Sequence, residues 1–325
     1  MTETVRPSPP SAGSLRVPPS PAWRERGGAR AQRGTGEGVL VALGLACLAI
    51  ALVLRVLPAS AAERLRLETP VEQGALVMGT TEPGARLALD GATVPVAADG
   101  RFVFGLDRDA PASATLVAHY RDGSGETRTL AVKPRPWDIQ RIEGLPPKMV
   151  EPDPKDLPRI KREYEMIVAA RTRTTPAEYY REKFIWPALG RISGVYGSQR
   201  ILNGTPSTPH YGVDVAAPTG APVVAPADGV VTLAQPDMYF TGNTVLIDHG
   251  YGVSSILIHM SELAVRVGQR VKQGDPIGKV GATGRATGPH LHWGLHWYQV
   301  KVDPQLLVGP MPASEPATTE SKAGQ

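Results

Sequence analysis

The sequence predicts a mainly β protein: a small β-sandwich, a short helical linker, then a larger antiparallel β-sheet domain. Three observations predict it. Glycine (35 residues) and proline (32) are plentiful in a chain of 325, which favours turns and short strands over long helices. Short apolar runs recur, separated by Asp-Gly pairs of the sort that close hairpins. Helical spacing is confined to the stretch between the two β-rich regions. A hydrophobic content of 42% is ordinary for a globular protein, and the length suits about two domains plus connectors.

Taken in order, residues 1–38 are rich in Pro, Gly, Ser, Ala and Arg without periodicity, which predicts a disordered basic leader. Val39 to Leu54 is a nearly unbroken apolar run flanked by Arg30, Arg33 and Arg55, and Ala59-Ser60-Ala61 comes after it. Its length lies between a signal-peptide core and a full span of roughly twenty residues. Residues 39–61 therefore read as a signal peptide or an inner-membrane anchor, and the positive flank places the C-terminal part of the chain outside the cytoplasm, in the periplasm or cell envelope. The net charge of +4 arises here: residues 1–61 hold seven Arg and three Glu, and the remainder balances. The body thus carries no basic footprint for nucleic acid. The single cysteine, Cys47, also lies in the leader, which excludes disulfides and cysteine-zinc sites from the folded part.

Residues 68–135 form the expected sandwich. Leu76 to Met78, Arg86 to Leu89, Arg101 to Phe104 and Thr115 to Tyr120 are its strands, with turns at Asp90-Gly91, Asp99-Gly100 and Asp122-Gly123. A spacer or wall-contacting module is its default role. Residues 136–183 are the linker: an extended, proline-rich stretch to Pro158, a helix over Leu157 to Thr172, and a second short helix over Pro176 to Lys183 with Thr175 as cap. Residues 184–308 return to strands and glycine turns, and 309–325 is a polar tail.

Six of the seven histidines fall in the last domain. In Thr208-Pro209-His210-Tyr211-Gly212-Val213-Asp214, His210 and Asp214 would share a strand face, yet full extension sets them about 13 Å apart. They can chelate only if the chain bends, and Gly212 permits a kink. In Gly288-Pro289-His290-Leu291-His292, the two imidazoles are two apart on a predicted strand and point the same way, about 7 Å apart at the backbone. Two imidazoles and a carboxylate with an open position make a catalytic zinc set. His259 ends the apolar run Ser255 to Ile258, where a lone histidine is most simply a core or edge residue. His249 reads as a turn residue, and His296 as an ordinary strand residue further along the His292 face.

The order His-x-x-x-Asp, a strand-end His, then His-x-His resembles the lysostaphin/LytM-type zinc metallopeptidases. Phe184 to Gly197, Gly242 to Gly250, Val267 to Gly278 and Gly281 to His292 resemble further signatures of that family, in the same order. The resemblance covers about Phe184 to Leu307. It implies the duplicated hybrid motif fold, Zn²⁺ held by His210, Asp214 and His292, and His259 and His290 as unliganded catalytic histidines. Where the family often has an aromatic residue two before the strand-end histidine, this chain has Leu257, a departure that concerns the groove wall.

The resemblance also implies the substrate, peptide cross-links between peptidoglycan stem peptides, cut through a metal-activated water. No His-Glu-x-x-His is present, so proton transfer falls to His290 and His259, in roles the sequence leaves open. Two rival readings differ in class. Some family members have lost ligands and act as non-catalytic activators of other murein hydrolases, whereas all five polar residues are present here. The segment from Gly229 to Gly278 is also similar to lipoyl-type barrels, but no lysine occupies the hairpin tip, where Asp275-Pro276 follows Gly274. Protein partners are not indicated.

Overall fold

The computed structural model describes residues 63–142, 152–202 and 204–312. The leader and the anchor or signal segment expected over 1–61 lie outside the described residues, as does the tail from 313 onward. No helix among the described residues is long and apolar enough to cross a membrane.

The first strands are β1 (Leu65–Leu67), β2 (Leu76–Thr81), β3 (Arg86–Leu89), β4 (Ala92–Val94), β5 (Arg101–Gly105), β6 (Ser113–His119), β7 (Gly125–Ala131) and β8 (Ile139–Ile142). One sheet runs β1-β2-β5 and the other β4-β3-β6-β7. Strand β6 alternates as a half-buried pleat should: Ala114, Leu116 and Ala118 are buried, while Thr115 and Val117 are partly exposed. Asp90 and Gly91 both take left-handed φ (47° and 82°), the two-residue turn whose twist matches its flanking strands.

Strand β5 breaks the alternation, because Phe102, Val103 and Phe104 are all fully buried. The two phenylalanines stack in parallel on one face, with ring centroids 6.3 Å apart. At the end of the strand, Gly105 lies against Trp297, Val300 and Val302 of the last domain. The sandwich core is therefore continuous with the core behind the large sheet. Ion pairs Arg135–Asp303 (2.7 Å) and Arg101–Glu178 (2.9 Å) reinforce the junction, as does donation from the buried Arg108 Nε to the Gly197 carbonyl (2.7 Å).

The described parts of the linker hold more regular structure than its prolines suggest. β8 pairs in parallel with β10 (Gln199–Leu202), so part of the expected connector is a strand of the following domain. Helix α1 (Leu157–Thr172) has the expected bounds. The second helix is absent: only a 3₁₀ turn, Tyr179–Arg181, forms there. The reason is competition for the backbone. Thr175 N–H donates to the Asp248 carboxylate (2.8 Å) and Thr175 O accepts from Tyr251 N–H (3.1 Å), and Tyr180 is drawn fully into the core.

The remaining strands are β9 (Arg191–Gly194), β11 (Thr205–Pro206), β12 (Val213–Ala216), β13 (Pro222–Val224), β14 (Gly229–Met238), β15 (Gly242–Gly250), β16 (Val253–Met260), β17 (Glu262–Leu263), β18 (Arg270–Val271), β19 (Pro276–Lys279), β20 (Leu291–Trp297) and β21 (Val300–Val302). The main antiparallel sheet runs β18-β14-β15-β16-β20-β12-β9, with β21 also on β20. A small sheet β13-β19-β17 accompanies it. Strand β16 is buried on both faces. Leu257 and Val253 face the main core, while Ile256 and Ile258 meet Ile167 and Ala170 of α1 together with Leu233, Met238 and Leu246. His249 is not a turn residue. It lies within β15, fully buried, bonded to the Asp228 carbonyl (2.8 Å) and to Ser255 Oγ (2.9 Å).

Candidate metal centre

Asp214 on β12 and His292 on β20 stand directly opposite each other in the antiparallel pair, where side chains on one face approach to about 5 Å. His210 precedes β12. Its N–H donates to Ser198 O and its carbonyl accepts from Gly197 N–H, each at 2.8 Å, and this pairing turns the chain back so that the imidazole returns over Asp214. The expected bend is present, but Gly212 serves it through space and not through a left-handed φ. A Cβ at Gly212 would lie 2.6 Å from both His292 Nε2 and the Trp293 carbonyl. Gly194 on the neighbouring strand is constrained likewise, its Cβ position lying 2.5 Å from Asp214 Oδ2.

Three atoms converge. His210 Nε2 is 3.0 Å from Asp214 Oδ1 and 3.0 Å from His292 Nδ1, and His292 Nδ1 is 2.8 Å from Asp214 Oδ1. Among the described residues these three are the ones grouped closely enough to share an ion. Ligands on a tetrahedral zinc at bond lengths of about 2.0 Å stand roughly 3.3 Å apart, so a small outward movement admits the ion.

The hydrogen bonds test the fit. A carbonyl only accepts, so His210 Nδ1, 3.0 Å from Val195 O, must donate. In the neutral ring that leaves Nε2 as a bare lone pair aimed at a carboxylate, an arrangement that requires either a proton or a cation between them. The outer carbonyl thereby sets the tautomer a metal needs. Burial disfavours charge on His210, but the hydrogen bond and charge of Asp214 outweigh it and raise its pKa. Burial would raise Asp214, yet hydrogen bonds from His210 and His292 hold its carboxyl well below the usual range. Burial lowers His292. The donor set of two imidazoles and one carboxylate, partly exposed to solvent, fits a catalytic zinc site.

His290 and His259 flank this group. His290 Nε2 lies 3.9 Å from Asp214 Oδ1, and its Nδ1 donates to Gly288 O (2.8 Å). His259 follows Ile258, which pairs with His292. Strand alternation would turn His259 to the opposite face. Instead its φ of 66°, uncommon for a side-chain-bearing residue, brings its ring to 4.8 Å from His290 and 6.4 Å from His292. Its Nδ1 donates to Thr283 O (2.9 Å) and its N–H to Thr241 O (2.9 Å). Burial, with His290 and His292 nearby, pushes its pKa down to about 4.

All five sequence-predicted residues therefore gather at one place. Leu257 faces the core and does not line the groove. The carbonyls of Val195, Gly288 and Thr283, which fix three imidazole tautomers, had no signal in side-chain identity.

Known proteins resemble the chain in this region. The profile of Peptidase family M23 matches residues 208–304. The peptidoglycan DD-endopeptidase ShyA of Vibrio cholerae is 42% identical over 106 residues, 32% of this chain and 24% of that protein. The cell division protein DipM of Caulobacter vibrioides is 35% identical over 128 residues, 39% of this chain and 20% of that protein. The chain thus spans about a quarter of the length of such curated relatives. A crystal structure assigned to peptidase M23 from Pseudomonas aeruginosa superposes with a TM-score of 0.58 at 30% identity, covering 74% of this chain and 96% of that one.

Proposed function

Because this chain belongs to peptidase family M23, we propose that it is a zinc-dependent endopeptidase that hydrolyses the peptide cross-links of bacterial peptidoglycan. The observation that carries the reading is the convergence of His210 Nε2, Asp214 Oδ1 and His292 Nδ1 to within 3.0 Å of one another. Held by these three side chains, a zinc ion would supply a Lewis acid able to polarise the scissile carbonyl and to bring the pKa of a water toward neutrality. Asp214, held anionic by its two imidazole partners, supplies the negative charge of the donor set.

His290 and His259 handle the protons. Each commits Nδ1–H to a backbone carbonyl, so each carries a lone pair at Nε2. His290 Nε2, beside Asp214, and His259 Nε2 form a pair of bases: one takes the proton of the attacking water, and that same proton is then passed to the leaving amine, directly or by way of the other ring, so that both histidines end neutral as they began. The name of the Vibrio relative supports the murein cross-link as substrate. The leader and apolar segment read from the sequence support action in the cell envelope, with the chain exported or anchored in the inner membrane.

The test is direct. His210→Ala is expected to lose bound zinc and turnover together, and His259→Ala to keep zinc and lose at least a hundredfold in turnover on purified sacculi. A chelator should abolish cleavage and added zinc restore it. Full zinc retention in His210→Ala contradicts the ligand assignment. Zinc binding without cleavage by the wild type would leave a wall-binding activator.

A further inference from the structure

Away from the metal centre, the same face of the sheet carries polar groups that no part of the proposed chemistry uses. Ser254, His296 and Lys301 are consecutive cross-strand neighbours on β16, β20 and β21, which sets them in a row at roughly 5 Å spacing. His296 lies four residues beyond His292 along β20, about 13 Å, with only Gly294 between them on that face. Arg171, from the C-terminal turn of α1, completes the group: its charge acts on both His296 and Lys301.

This cluster lacks what its chemistry demands. Among the described residues, no carboxylate forms an ion pair with Arg171 or Lys301; Asp107 acts on Lys301 only from beyond ion-pair distance and does not offset the lowering by burial and Arg171. Arg171 Nε, His296 Nδ1 and Ser254 Oγ are buried without a hydrogen-bond partner, and His296 is only 2% exposed. The Arg171 guanidinium has one long contact, Nη1 to Gln299 Oε1 at 3.5 Å. Burial lowers Arg171 to about 10 and, with Arg171 close by, lowers Lys301 as well. Crowded cations and unpaired buried donors cost free energy, and an anion relieves both at once. Lys301 also connects the cluster to the metal centre: its Nζ sits 4.0 Å over the ring of Tyr211, the residue next to His210.

We propose that Arg171 and Lys301, over a floor of His296 and Ser254, form a subsite for a free carboxylate of the peptide substrate, several bonds from the scissile amide. The assignment rests on the peptidase reading of His210, Asp214 and His292. Stem-peptide cross-links fit the subsite because they carry free carboxylates flanking the bond to be cut. Arg171 forks onto the carboxylate, and Lys301 adds a second charge from the Tyr211 side.

The experiment uses the full chain and two probes: a cross-linked murein peptide dimer with its diaminopimelate carboxyls free, and the same dimer with them amidated. Wild type is expected to prefer the free acid by about tenfold or more in kcat/KM. Arg171→Gln and Lys301→Gln should each bring that ratio toward one, through KM and not kcat. Melting curves check that each variant folds, and either variant alone suffices. A second arm measures Kd for both dimers with zinc chelated, where no turnover occurs. Equal cleavage of the two dimers by wild type, or an unchanged ratio in both folded variants, overturns the subsite and leaves the hydrolase reading intact. Absent cleavage, with tighter binding of the acid form that Arg171→Gln abolishes, retains the subsite and removes the hydrolase reading.

Discussion

His249 shows how much a single side chain can decide in this protein. Fully buried between the Asp228 carbonyl and Ser255 Oγ, with the Phe184 ring 5.0 Å away, it is pushed down to about 4 by loss of solvent. In the unfolded chain the same imidazole titrates near 6.5. Between pH 6.5 and 4 the unfolded state therefore binds a proton that the folded state refuses, and stability falls as pH falls through that window, by about 3 kcal/mol in all. Above pH 6.5 the contribution is complete and flat. Melting temperatures measured from pH 7.5 to 4 should drop less steeply for His249→Asn than for wild type; parallel curves would refute the burial argument. Local sequence concealed this residue, because Asp248-His249-Gly250 has the composition of a turn. Only the partners on β14 and β16 reveal that the strand continues through it.

At the scale of elements, α1 was legible to the residue and its task was not. Ile160, Tyr164, Ile167 and Val168 recur at helical spacing, but periodicity does not say what the apolar stripe meets. It meets β14, β15 and β16 on the face that carries His292, where Ile167 and Ala170 close a small core with Leu246, Ile256 and Ile258. Ile167→Ala should remove about 2–4 kcal/mol and also loosen the strand that delivers His259. A chemical-denaturation midpoint unchanged from wild type would show that the helix merely rests on the sheet. Strand β16 teaches the complementary lesson. Its apolar run was readable, yet strand geometry alone turns His259 away from His292. A left-handed residue at the strand end, held by Thr241 O and Thr283 O, reverses that, and those carbonyls come from loops distant in the chain.

Across the described residues, the sandwich shares one hydrophobic core with the sheet domain. Val103, fully buried on β5, and Gly105 beside Trp297, Val300 and Val302 join the two cores. Calorimetry should record one unfolding transition for the described region, and Val103→Ala should lower that transition as a unit, by about 2 kcal/mol. Two separable transitions, only one of them shifted, would contradict a shared core. The sequence by itself determined the β class, the α1 bounds, the three Asp-Gly turns of the sandwich, and the residue types of the site, because pleat period, helix period and turn chemistry act over a few neighbouring residues. Tertiary structure alone decided that His210 and His292, 82 positions apart, meet Asp214, that Gly212 must lack a side chain to let them, and that Arg171 of α1 and Lys301 of β21 gather beside His296, further along the strand that carries His292. Those outcomes depend on which strands become neighbours, and strand order is set by long-range packing.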